Sequence, residues 1–129
     1  MSGEAEHVAA VVAALTAAGS TALGVAELAA ISPKPTHYNE VHVMERNADA
    51  YRVGATNGLR PYRVFVRSVG VYYLDAQRER DIVSEALPEG SVLTVGGVQT
   101  SGIRREVSDD PIDLVDGFYT GITERVYAL

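Results

Sequence analysis

The sequence predicts an α+β fold: a mostly antiparallel sheet with a long β-hairpin, packed by an N-terminal helix and a second, central helix. Two segments carry apolar residues at helical spacing, near 4–18 and 75–87. Elsewhere, short runs alternate apolar and polar residues between Gly, Pro and Asn, the pattern of half-buried strands and turns. The order is helix, strands, helix, strands, and helices segregated in this way belong to α+β architecture rather than to a doubly wound parallel sheet. At 129 residues the chain fits one domain, 1–129, able to bury roughly 65–70% of its unfolded surface.

Glu4 and Glu6 precede the apolar run VAAVVAALTAA at 8–18. Carboxylates there suit the positive end of a helix dipole. With Val8, Val11, Val12 and Leu15 at helical spacing, Ser2 as a cap and Gly19 as a left-handed stop, a helix over about 4–18 is expected. The run is about half the roughly twenty residues of a membrane span, and acids stand where a secretory signal carries Lys or Arg. Residues 20–31 fit either a short helix or a strand. SPKPTHYN breaks regular structure through its prolines.

VHVMER alternates Val41 and Val43 against His42 and Met44, as a strand does. A second strand is expected at Ala50 to Val53, then a turn at Asn57 and Gly58, then the strand YRVFVRSV. Together they form a hairpin over about 49–69. Tyr62, Val64 and Val66 share one face of the last strand; Arg63, Phe65 and Arg67 share the other.

Asp75 can cap the central helix, whose buried stripe is Ile82, Val83, Ala86 and Leu87, with Arg78, Glu79, Arg80 and Asp81 on the exposed face. Pro88 and Gly90 end it. Strands follow at SVLTV, before Gly96 and Gly97, and at 103–107 (IRREV), ahead of the acidic DDPIDLVDG. The closing strand carries Phe118, Ile122 and Val126 on one face and Tyr119, Thr123 and Tyr127 on the other.

Composition removes several classes of function. Seventeen acids against 11 bases give a net charge of -6, which opposes binding to phosphate backbones. Without cysteine there is no disulfide, thiolate metal site or cysteine nucleophile. GxSxG, GxGxxG and phosphate-loop patterns do not occur. His37 and His42, five apart on a strand, point to opposite faces and cannot share a metal. Asp109, Asp110, Asp113 and Asp116 miss the calcium-loop spacing and read as an acidic loop or a charged subunit contact. No metal, cofactor or catalytic residue is assigned. Arg60, Arg63, Arg67, Arg104 and Arg105 form the opposing basic set, read as salt-bridge partners. An acidic and a basic edge on one protomer can also meet head to tail and close a ring. Tyrosines 38, 51, 62, 72, 73, 119 and 127 divide between core packing and interfaces.

The length, the N-terminal helix, YRVFVRSVG leading into DAQRERDIVSEAL, and DDPID before FYTGITERVYAL resemble the tail-terminator (tail-completion, minor tail) family of long-tailed bacteriophages. The resemblance covers nearly the whole chain in order and texture. It implies a non-enzymatic virion protein, assembled in the host cytoplasm, that forms a hexameric ring at the head-proximal end of the tail tube. Such a ring halts tube growth and docks the head. The implied partners are further copies of the chain, the tail tube protein and a head-closure connector. DNA passes an acidic lumen without specific binding, and no membrane is involved. The expected subunit contacts are Arg60, Arg63, Arg67, Arg104, Arg105, Asp109, Asp110, Asp113 and Asp116. Two alternatives stand beside this: another neck or head-closure subunit, and a small ligand-binding domain or enzyme with a site beneath the Gly96 and Gly97 turn.

Overall fold

A computed structural model of the protein describes residues 3–45 and 60–129. The α+β expectation holds. Helix α1 (Glu4–Ala17) is followed by β1 (Ala22–Gly24), α2 (Val25–Ala30), β2 (His37–Glu45), β3 (Pro61–Gly70) and α3 (Tyr73–Ala86). Four further strands complete the chain: β4 (Thr94–Val95), β5 (Val98–Gln99), β6 (Asp113–Val115) and β7 (Phe118–Ala128). The main sheet has the order β1-β2-β3-β7-β6, with β1 parallel to β2 and every other neighbour antiparallel. Strands β4 and β5 form a separate small hairpin around Gly96 and Gly97. Among the described residues no helix is long and apolar enough to cross a membrane.

Helices α1 and α3 lie on one face of the sheet. The alanine-rich α1 buries Val11 and Leu15 completely, with Val8 and Val12 half-buried beside them, and Gly19 follows its end at φ 102°. These side chains meet Val41 and Val43 of β2, Val64 and Val66 of β3, and Val83 and Leu87 from α3 and its C-cap. The ambiguous 20–31 segment proves to be both a strand and a helix. Leu28 of α2 packs with Tyr38 and Val69 on the opposite face of the sheet.

Several expectations change. The strand expected from Val41 starts at His37, because the break imposed by the prolines ends with Pro35 and Thr36. It is β2 that pairs with β3, in register from His37↔Gly70 to Glu45↔Tyr62. The expected strand at 50–53, the turn at Asn57 and Gly58, the cap Ser2 and Tyr51 lie outside the described residues. Gly3 is the N-cap of α1 and Tyr72 that of α3, neither with a side-chain cap bond, so Asp75 is a first-turn acid facing the dipole rather than a cap.

Only Thr94 and Val95 of SVLTV are strand. The residues before them pair irregularly: Gly90 N–H donates to Ile103 O, Ile103 N–H to Ser91 O, and Thr100 N–H to Leu93 O. The expected strand at 103–107 reduces to one bridge, Arg104↔Val126. Ile103 is buried, but residues 104–108 are all exposed, so neither face of that segment has apolar contacts to hold a ladder.

The β6–β7 hairpin turns at Asp116 and Gly117, with φ 50° and 84°, the positive pair that a two-residue hairpin of the strand-matched hand requires. At the far end of β3, α3 starts directly over Gly70. A Cβ there would lie 2.6 Å from Ala76 N and 2.9 Å from Asp75 Cβ.

Candidate assembly surface

Alternation along β3 places Arg63 and Arg67 on the sheet face opposite α1 and α3, as the sequence suggests. Each meets a glutamate of a neighbouring strand rather than the acidic loop. Arg63 Nε lies 2.7 Å from Glu124 Oε1, and Arg67 Nη2 donates to Glu40 Oε2 at 3.1 Å. Arg60 reaches Glu45 at 3.4 Å, while its backbone pairs with Leu129. Arg104 stands 3.7 Å from Glu106, and Arg105 is 3.7 Å from Glu89.

The basic and acidic sets touch within one chain at Arg105 and Asp109, 4.0 Å apart. Asp109 has a closer partner that the sequence reading missed. Arg125, only 5% exposed, donates to Asp109 Oδ1 at 2.9 Å. The signal for it was the alternation that sets Arg125 on the same face as Thr123 and Tyr127.

The backbone of the acidic loop is held by α3. Arg80 Nη2 donates to the carbonyls of Asp110 and Ile122, and the Asp110 N–H donates to Ile122 O. Gly121 leaves room for this, since its Cα hydrogen faces the Arg80 guanidinium and Ile112. Asp113 and Asp116 stand exposed on the β6–β7 hairpin.

Two polar groups lie in the interior. The sequence puts Glu79 on the exposed face of the central helix, yet it is 2% exposed. Its carboxylate accepts from Ser20 Oγ at 2.7 Å, His37 Nδ1 at 2.9 Å and Asn39 Nδ2 at 3.3 Å. Asn39 in turn accepts from Ser68 Oγ at 2.6 Å. The carboxylate's donors come from the approach to β1 and from β2, and Asn39 carries the network on to Ser68 of β3, so α3 is tied directly to two parts of the sheet and through Asn39 to a third. A buried carboxylate requires such donors, because the charge is otherwise stranded in a poorly polarisable interior.

His7 of α1 is also fully buried. Its Nδ1 is hydrogen-bonded to the Tyr127 hydroxyl at 2.5 Å, and its ring stacks on Tyr62 with centroids 3.9 Å apart. Burial lowers the His7 pKa below its ordinary 6.5, against the opposing pull of Glu6, Glu4 and Glu45. Burial raises the Tyr62 and Tyr127 hydroxyls. His42 lies exposed on β2, away from both groups. Among the described residues no cluster of three or more His, Asp and Glu side chains could hold a metal ion.

Apolar exposure is concentrated at one end of the sheet. The four residues after Gly70, Val71 to Leu74, are all exposed, with Tyr72 at 72% and Leu74 at 69%. Tyr73 meets Tyr119 edge to face at 5.8 Å, which joins this segment to the β6–β7 hairpin. There Leu114, paired opposite Tyr119, is 61% exposed, and Val115 and Phe118 form a second exposed pair on the other face. The Tyr73–Tyr119 contact thus joins Val71 to Leu74 with Leu114 on one face of this end, while Val115 and Phe118 are exposed on the other face, and Asp113 and Asp116 stand on the same hairpin. Comparison with protein-family models, curated proteins and solved structures finds no match for this chain. Large exposed apolar groups close together are common at contact sites, where aromatic residues are enriched.

Proposed function

We propose that the protein is a structural ring subunit of a long-tailed phage tail, a tail terminator. In this role copies close a hexameric collar on the head-proximal end of the tail tube, stop its growth and present a face to the head connector. The observation that carries the reading is the exposed surface formed by Tyr72, Tyr73, Leu74, Leu114, Val115 and Phe118. A monomer in water has no use for six large apolar side chains gathered at one end, whereas a subunit covered by its neighbours does. The interior polar groups support the same reading, since Glu79 and His7 are consumed in fixing how α3 and α1 sit on the sheet. The net charge of -6 suits a lumen through which DNA slides without adhering.

The charged residues expected at the contact have a narrower role in this account. Arg63, Arg67 and Asp109 are engaged within the chain, so the apolar end supplies the contact and Asp113 and Asp116 its rim. The test is the mass of the protein in solution and on tubes, for the wild type and for a Tyr72→Ser/Leu74→Ser variant. The wild type is expected to form a hexamer, at the latest when bound to tubes, and the variant to remain a folded monomer. Rings that form equally well with the variant would remove this surface from the interface.

A further inference from the structure

The opposite edge of the sheet holds a second feature, independent of the ring reading. Strand β1 ends at Gly24, opposite Val41, while β2 continues to Glu45. The Asn39 N–H donates to Thr21 O, so the odd-numbered residues of β2 turn their backbone groups toward β1. Beyond Val41 this leaves the N–H and C=O of Val43 and the N–H of Glu45 with no strand beside them among the described residues.

The vacant strand position opens into a groove. A cavity of about 260 Å³ is lined by Ala5, Val8 and Ala9 of α1, by Gly24 and Val25 where β1 passes into α2, and by Val41 and Val43. Glu4 and Glu27 stand at its rim, with His42. A free edge supplies hydrogen bonds for an extended chain, and an apolar trough beside it takes every second side chain of that chain.

We propose that this groove binds an extended segment of another protein by strand addition alongside β2, and that the segment alternates apolar residues with Lys or Arg. Its apolar side chains enter between α1 and α2, and its cations pair with Glu4 and Glu27. Charge decides against a second copy as the occupant. The other edge strand among the described residues is β6, which carries Asp113 and is followed by Asp116, and it would bring acids against Glu4 and Glu27.

The probe is a capped nonapeptide alternating lysine with valine, compared with one alternating glutamate with valine, titrated into isotopically labelled protein at physiological salt. The lysine peptide is expected to bind with Kd on the order of 100 μM. It should shift the amides of Ala5, Val8, Val43 and Glu45. Glu4→Gln/Glu27→Gln and, separately, Ala9→Gln, which fills the trough from an exposed helix position, should each weaken it about tenfold. Any one of four results overturns the proposal: no binding at about 1 mM, equal affinity for the two peptides, shifts confined to other surfaces, or self-association of the chain through these same residues. The peptide titration is read on the free protein, so its failure leaves the ring reading untouched, and loss of the ring would leave the groove proposal standing.

Discussion

Glu79 of α3 and Ser20, 59 residues apart in the chain, are joined by a 2.7 Å hydrogen bond in the interior. The bond belongs to a set in which a single carboxylate satisfies Ser20, His37 and Asn39. Replacing it with an apolar residue removes the acceptor of the buried Ser20 hydroxyl and one acceptor of the buried Asn39 amide, while His37, partly exposed, can turn to water. Glu79→Leu should therefore lower stability by about 2–4 kcal/mol, and Glu79→Gln, which keeps one acceptor oxygen, by about half as much. Urea unfolding of the two variants checks both the size and the order of the effects.

The lowered pKa of His7 gives a pH dependence with a definite sign. Unfolded, His7 takes up a proton near pH 6.5; folded, it stays neutral to lower pH because burial opposes the charge. The unfolded state then binds more protons in that window. Stability is full above pH 6.5 and falls as the pH drops below it, until the folded pKa is passed. Wild type should lose more stability between pH 7.5 and 5 than His7→Gln does. Equal losses would assign the pH dependence to other groups.

Asp109 and Arg125 make a second comparison possible. Asp109→Ala strands a nearly buried guanidinium and should cost about 2 kcal/mol, less than a fully buried pair because Asp109 keeps some access to water. Arg63→Glu sets two glutamates against each other across β3 and β7 and should cost about 1 kcal/mol. The exchange Arg63→Glu/Glu124→Arg should recover most of that loss. If the exchanged protein is stable and still assembles, Arg63 is a fold residue and not a contact residue.

Gly70 tests how closely α3 is seated. With Ala76 N at 2.6 Å from the position of a Cβ, Gly70→Ala must move backbone, and should cost about 2 kcal/mol or more. Because this junction also orients Val71 to Leu74, the substitution should weaken assembly more than its stability loss alone accounts for. Thermal unfolding together with sedimentation separates the two effects.

The parts of the fold set by local periodicity were legible in the chain. The stripe of α1, the alternation of Tyr62, Val64 and Val66, and the Gly19 stop all follow from neighbours in sequence. The Glu79 site was not legible, because a glutamate among Arg78, Arg80 and Asp81 looks solvated. Only the arrival of Ser20, His37 and Asn39 from elsewhere makes its burial affordable. The intrachain partners of the charged set were not legible for the same reason: composition reveals arginines and acids, while only the pairing of β3 with β7, Arg63 opposite Val126 and Phe65 opposite Glu124, brings Arg63 diagonally onto Glu124. The apolar end was half visible. VYYL stands in the sequence as an apolar run, but its exposure depends on α3 starting at the sheet end, where nothing covers Tyr72 and Leu74.

The most direct test of the central claim is electron microscopy of phage particles assembled without this protein and then with it restored. Tubes of uncontrolled length and tails without heads, both corrected by the restored protein, are the predicted result. Particles of normal length with heads attached, formed in its absence, would contradict the account.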